Sequence, residues 1–275
     1  MSFEAFQHGP VRGYCHPALL PHLDFFIDWE GADFKSVPRQ FHILKVYLER
    51  PNWVAAVRLP FPDLPWNIVL VKRFGSRSPL HRLLSPFTES KALRAFRMAL
   101  EVQKIGLLTP QPLLALESRR IGLVGRCYSI TAWLPEASSA REKFKSHSAP
   151  GGPESPEIKN LLIVLARIIR KLHDAGILHR DLTLGNFLIP RNAPDQVHLI
   201  DLSRAVQLKR LPILFRLMDL ARMNLGPHWP AFYHLYCGDR PDWLRYKRLL
   251  DGLVRLRRTS IVLRKIKKAF SPAPR

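Results

Sequence analysis

A two-lobed α+β fold, with an antiparallel sheet and one helix in the first half and a mainly helical second half, is what this sequence predicts, on three observations. Short β-branched and aromatic runs dominate up to about residue 134. A long amphipathic helix pattern opens the second half. A loop carrying two carboxylates and an amide at fixed offsets follows that helix. The division is expected at 1–134 and 135–275.

The elements follow in order. Residues 41–74 read as three strands, FHILKVYLE, NWVAAVRL and NIVLVKRF, broken by ERPN and PFPDLPW, which makes an antiparallel meander. After the polar, proline-bearing stretch 75–86, helical periodicity runs from Glu89 to Ile105 through Leu93, Phe96, Leu100 and Val102, and Gly106 can close the helix. PLLALES and GRCYSITAWL read as two further strands. Residues 137–156, rich in Ser, Ala, Lys, Gly and Pro, are expected to be a loop or linker. Ser155 followed by Pro156 then starts a helix whose buried face is Ile158, Leu161, Leu162, Leu165, Ile168, Ile169 and Leu172. GILHRDLTLGNFLI, the turn RNAPDQ and VHLIDLSRA suggest a strand-loop-strand element, and the chain from about Pro212 is mostly helical. No internal repeat is present.

At 275 residues the chain can bury a substantial core, and its 47% hydrophobic and 24% charged content excludes disordered and collagen-like classes. The 43 Lys and Arg against 22 Asp and Glu give a net charge of +21, so a polyanion is the expected neighbour: nucleic acid, an anionic membrane face or a phosphorylated glycolipid. Cys15, Cys127 and Cys237 have neither CxxC pairing nor metal-ligand spacing and read as reduced and structural. The start MSFEAFQHGPVRGY lacks the basic-then-apolar pattern of a cleaved signal, and no apolar run reaches about 18 residues. The expectation is a cytoplasmic protein, peripheral at most to a membrane.

The chemistry is concentrated in His179-Arg180-Asp181-Leu182-Thr183-Leu184-Gly185-Asn186 and in Leu199-Ile200-Asp201. Phosphoryl transfer asks little covalent work of a protein, but it needs an acceptor hydroxyl held in line and metal ions held across nucleotide phosphates. Asp181 suits the proton-accepting task. Asn186 and Asp201 offer the oxygen ligands that Mg²⁺ prefers. Lys72 ends Ile68-Val69-Leu70-Val71-Lys72, where alternation puts Leu70 and Lys72 on one face, able to meet adenine and phosphate. Taken singly, each piece has an ordinary reading: a chance HRD triplet, a solvated lysine, a turn-capping aspartate. Their joint order, Lys, helix, HRDxxxxN, apolar strand and Asp, resembles the protein-kinase-like superfamily.

Within that superfamily the chain resembles the bacterial lipopolysaccharide kinases that phosphorylate Kdo or heptose in the inner core. The likeness spans about Val69 to Asn224 and includes LVKRFGSRSPL, KALRAFRMALEVQKIGLLTPQPLLALE, YSITAWLPEA, IIRKLHDAGILHRDLTLGNFLI, HLIDLSRA and RLMDLARMN. It implies ATP and Mg²⁺ as cofactors, a hinge at Trp133 and Leu134 that contacts adenine, and a lipopolysaccharide-core acceptor. It also implies that Asp219 braces the catalytic loop, against the alternative of a charge on a surface helix. Several positions depart from the pattern. Glu49-Arg50-Pro51-Asn52 stands where a glycine-rich loop is usual. Ala95 stands at the usual helix glutamate, which leaves Glu89 or Glu101 as partners for Lys72. Ser203 replaces a glycine and Thr183 a lysine.

Only residues 202–218 separate Asp201 from Asp219, with no APE-like anchor, which favours a sugar hydroxyl over a peptide acceptor. Residues 243–270 read as a basic amphipathic helix, suited either to an anionic leaflet or to packing on the core. No RNP-like platform or helix-turn-helix accompanies the charge, which argues against nucleic acid. Two other functions stay open: an atypical serine/threonine protein kinase, and a catalytically inactive kinase-like scaffold.

Overall fold

The structure, a computed structural model, describes residues 3–27, 42–48, 52–75, 88–120, 122–147 and 155–269. The Glu49-Arg50-Pro51 break and the 76–87 stretch lie outside the described residues. Contacts divide the chain into two units, 1–136 with 198–204, and 137–197 with 205–275. Asp201 therefore belongs with the strands of the first unit rather than with the loop that precedes it in sequence.

The first unit is built on a seven-stranded antiparallel sheet. Its strands are β1 (Glu4–His8), β2 (Val11–Cys15), β3 (His42–Leu48), β4 (Trp53–Arg58), β5 (Ile68–Arg73), β6 (Pro112–Arg120) and β7 (Leu123–Ala132). Their order across the sheet is β1-β2-β6-β7-β5-β4-β3. The expected strands in 41–74 and 112–134 are all present. The β1–β2 hairpin at the sheet edge adds two strands that periodicity did not predict; it turns at Gly9, which takes φ +55. Alternation buries one face: Val69 and Val71 of β5 lie in a core with Val57, Leu114, Leu116 and Ile130. A short helix α1 (Leu23–Ile27) adds Phe26 to that core.

Helix α2 (Lys91–Lys104) matches the predicted helix. Ser90 caps it by accepting the Leu93 N–H at 3.2 Å, and Gly106, at φ +67, ends it as expected. Ala92, Leu93 and Phe96 pack on Ala115 and Cys127 of the sheet, and α2 also packs against the turn Leu202–Arg204. The three cysteines are free and buried.

Glu117 of β6 is fully buried, on the strand face it shares with the buried Ala115. Its Oε1 accepts Nε of Arg12 at 2.8 Å and Nε of Arg119 at 2.6 Å, and its Oε2 accepts the Ser90 backbone N–H at 3.2 Å. Burial alone would raise its pKa, but hydrogen bonds from Arg119, Ser90 and Arg12 outweigh it and hold the carboxyl below the usual range. A depressed carboxylate stabilises the fold above its unfolded pKa, and that contribution disappears as pH falls through the folded value. Glu117→Gln is therefore expected to cost about 2 kcal/mol at pH 7, with the gap to wild type shrinking below about pH 4.5. Urea denaturation at pH 7 and pH 4 measures both; an equal gap at the two pH values would show that ionisation of Glu117 carries none of it.

The second unit begins where a loop was predicted. Residues Ala137–Ser139 form strand β8, paired with Phe187–Pro190, and Ala140–His147 form helix α3. Ser139-Ala140-Arg141-Glu142 is a reciprocal cap: Glu142 Oε2 accepts the Ser139 N–H at 2.7 Å while Ser139 Oγ accepts the Glu142 N–H at 3.3 Å. The remaining linker residues, 148–154, lie outside the described residues. Helix α4 (Pro156–Asp174) starts at Ser155 as predicted, and buries Ile158, Leu162, Leu165, Ile169 and Leu172. The strand pair Ile177–Leu178 and Val206–Gln207 follows, then α5 (Ile213–Leu220), α6 (Trp229–Cys237) and α7 (Lys247–Ala269). α4 packs on α6, whose Phe232, Tyr233 and Tyr236 are buried.

Candidate active site

The first unit sets Lys72 against Asp201. Because Val69 and Val71 are in the core, Leu70 and Lys72 share the opposite face of β5, in register with Ala56 and Val54 of β4 and with Thr131 and Ser129 of β7. Lys72 Nζ lies 2.7 Å from Asp201 Oδ1 and 5.1 Å from the Phe74 ring centroid. Ser203 Oγ donates to the same carboxylate oxygen at 2.9 Å. The residue that departs from the glycine of classical kinases thus helps orient the aspartate. Asp201 itself takes φ +57, a conformation that costs a non-glycine residue of order 1 kcal/mol and persists where surrounding bonds impose it.

Neither candidate glutamate meets that lysine. Glu89 bonds Arg97 at 3.0 Å, and Glu101 bonds Lys104 at 2.8 Å. The partner of Lys72 is Asp201, a carboxylate 129 residues away in sequence. At the end of β7, Trp133 and Leu134 are half-buried, and the Trp133 indole N–H donates to the Tyr47 hydroxyl at 3.0 Å.

The second unit holds the loop 179–186 from below through Asp219. This residue is buried, not on the surface, and its two oxygens accept the backbone N–H of His179 at 2.7 Å and of Arg180 at 2.9 Å. Arg180 sits at φ +64, the left-handed conformation needed to present two successive amides to one carboxylate. His173 of α4 lies 3.5 Å from Asp219 Oδ2 through Nε2 and 2.8 Å from the Tyr236 hydroxyl through Nδ1. Complete burial holds His173 below its ordinary pKa. As a neutral ring it can face Asp219 with its Nε2–H and accept the Tyr236 proton on Nδ1.

Above that brace, Asp181 and Asn186 come together. The Asp181 N–H donates to His179 Nδ1 at 3.2 Å, and Asn186 Nδ2 donates to the Asp181 carbonyl at 2.7 Å. Committing the amide nitrogen inward leaves Oδ1 as the outward-acting atom of Asn186, the donor type a hard divalent ion takes. Gly185, between them, lies near α3: a Cβ there would stand 3.0 Å from the Arg141 guanidinium, a contact the flexible arginine can relieve.

Thus each unit assembles one pair of the predicted residues, Lys72 with Asp201 and Asp181 with Asn186. Sequence reading marked Ser203 only as a departure from glycine, and missed Tyr47 and the His173–Tyr236 support. Tyr47 carries no signal in a single sequence. His173 was visible only as a histidine on the buried stripe of α4.

Comparison with known proteins bears on what this arrangement is. No curated protein matches the chain significantly. A solved structure, "WaaP in complex with acyl carrier protein", aligns with a TM-score of 0.57 at 20% identity, over 90% of this chain and 97% of that chain. At that identity the likeness speaks for the fold, which is α+β and protein-kinase-like. A family model described as "Lipopolysaccharide kinase (Kdo/WaaP) family" matches residues 77–227, more than half of the chain. Asp181, Asn186, Asp201 and Asp219 fall inside that match, and Lys72 lies just before it. The chain belongs to the lipopolysaccharide kinase (Kdo/WaaP) family, and is by that membership a kinase that transfers phosphate to an alcohol group.

Proposed function

We propose that the chain transfers the γ-phosphate of ATP to a sugar hydroxyl, of Kdo or heptose, in the inner core of lipopolysaccharide. The observation that supports this best is the loop 179–186, in which Asp219 fixes the backbone and Asn186 is tied to Asp181. In this reading Asp181 accepts the proton of the acceptor hydroxyl while its oxygen forms the new bond to phosphorus and ADP departs. Lys72 positions the nucleotide phosphates and Leu70 lies against adenine, beside the segment Trp133–Leu134. Asn186 Oδ1 and the Asp201 carboxylate would hold Mg²⁺, which when bound neutralises charge on the β- and γ-phosphates.

A non-protein acceptor is supported by what fills 202–218. That interval is used by the turn Leu202–Arg204, the strand Val206–Gln207 and α5, which leaves no long segment to grip a peptide. Purified protein incubated with Mg-ATP and dephosphorylated core oligosaccharide is expected to add one phosphate, seen in the product mass. Phosphate appearing instead on generic protein acceptors would favour the atypical protein kinase. No transfer to any acceptor, with biological function retained by Asp181→Ala, would favour the scaffold.

Among the described residues no helix is long and apolar enough to cross a membrane. Docking on an anionic leaflet is supported by the second unit. α5 buries Leu217, Asp219 and Leu220 but exposes Leu214, Phe215 and Met218, and the neighbouring α7 buries Leu250 but exposes Leu249 and Leu256. Lys209, Arg210, Arg248 and Arg255 are exposed beside these residues. Helix α7 packs on the protein with one face and keeps an apolar, basic face outward, which supports the leaflet reading. Arg264, Lys265, Lys267 and Lys268 lie beyond the described side chains. Phe215→Ser is expected to weaken sedimentation with phosphatidylglycerol vesicles roughly fivefold, and unchanged sedimentation would count against this face. Acyl carrier protein, the partner of WaaP in the similar structure, is a second candidate partner, to be tested by co-purification.

A further inference from the structure

The first unit contains a charge cluster for which phosphoryl transfer has no use. Arg12 and Glu117 are directly opposed across β2 and β6, and Gly13 lets the strands approach closely, since a Cβ there would fall 2.0 Å from the Ala115 carbonyl oxygen. Around the buried Glu117 and the nearby Glu89 stand Arg12, Arg94, Arg97 and Arg119. Arg97 also faces Glu101, and of these charged groups Arg12, Arg119 and Glu89 reach the cavity wall. Beside them opens a cavity of about 630 Å³, with Gln7, Arg12, Tyr14, Glu89 and Arg119 in its wall. That volume suits a ligand of one or two sugar rings.

The two arginines that share Glu117 are not equivalent. Arg119 spends Nε on Glu117, Nη1 on the Gly122 carbonyl at 3.1 Å and Nη2 on the Thr88 carbonyl at 3.1 Å, so it is locked in place. Arg12 gives Nε to Glu117 and remains 47% exposed on the cavity wall. A guanidinium has five donors, and its planar fork matches a phosphate or a carboxylate. With Nε anchored to a buried carboxylate, Arg12 is held in orientation before any ligand arrives, which reduces the ordering cost of binding.

We propose that this cavity is a second anion site, in which Arg12 takes the phosphate or carboxylate of a small sugar acid or sugar phosphate. The site is separate from the pair Lys72 and Asp201, and it lies beside the capped start of α2, whose Ser90 N–H bonds the same Glu117.

The test is a binding measurement on the full chain, independent of catalysis. Inorganic phosphate, glucose 1-phosphate and dephosphorylated core oligosaccharide are titrated in turn, followed by calorimetry and by backbone amide shifts. The sugar phosphate reports a free metabolite as the source, and the oligosaccharide reports the acidic sugars of the acceptor. Binding of at least one probe is expected, with shifts at residues 5–14, 88–93 and 117–119, joined for the oligosaccharide by shifts at the catalytic loop 179–186 that it meets as acceptor. Arg12→Gln should weaken it about tenfold and Arg12→Lys less, because lysine keeps the charge and loses the fork. Lys72→Met should leave it unchanged. Shifts confined to the neighbourhood of Lys72, affinity indifferent to Arg12→Gln, or no binding by any probe would each overturn the proposal. The wild-type shift map decides the matter even where a variant fails to fold.

Discussion

Asp181→Asn is expected to lower kcat by about 10²- to 10⁴-fold while leaving the KM for ATP near its wild-type value. The structure gives the reason for the split. The loop is held through backbone groups, with the His179 and Arg180 amides on Asp219 and the Asp181 amide and carbonyl on His179 and Asn186. These bonds run through Asp181 backbone groups, so an isosteric amide should keep them while removing the proton acceptor. Steady-state kinetics with core oligosaccharide as acceptor measures both constants. A fall in ATP affinity with unchanged kcat would assign Asp181 to nucleotide binding instead.

Asp219→Ala is expected to be the most damaging single change in the second unit. It removes the acceptor for two backbone N–H groups, one of them on the fully buried His179, and leaves buried His173 facing a void. Stranding buried donors costs about 1–3 kcal/mol each, so a loss of about 3–5 kcal/mol is expected, discounted for partial water access to Arg180. Activity should fall further than stability accounts for, because the bond to Asp219 helps hold Arg180 at φ +64. Chemical denaturation and kcat/KM at a temperature where the variant stays folded separate the two losses. Asp219→Asn, which keeps an acceptor oxygen but offers an amide to the second N–H, should fall between. A variant as stable and active as wild type would reduce Asp219 to a bystander.

Much of this was legible in the sequence because local and tertiary preferences agree. The strands from His42 to Arg73 alternate or run apolar, Ser90 and Ser155 are strong caps, and HRDxxxxN has few other uses. The rest was hidden for physical reasons. Strand β1 is mostly exposed on both faces, so its alternation carries little apolar contrast. Helix α3 buries just Ala140 and Phe144, and its Ser and Lys content reads as a loop unless Ser139 and Glu142 are seen as a cap. The burial of Glu117 was hidden because one of the two arginines that neutralise it, Arg12, arrives from β2, 105 residues earlier. The partner of Lys72 was sought on the helix, where the family resemblance placed it, but long-range chain return supplied Asp201 instead.

We propose that Lys72, Asp201, Asp181 and Asn186 serve a single phosphoryl transfer. A double-mutant cycle on Asp201→Ala and Asn186→Ala, read as kcat/KM for transfer from Mg-ATP to core oligosaccharide, tests it most directly. If both side chains hold the same metal-nucleotide, the double variant should be hardly worse than the poorer single variant, since either loss already disables the shared site. Losses that multiply, or transfer that survives both substitutions, would contradict the account.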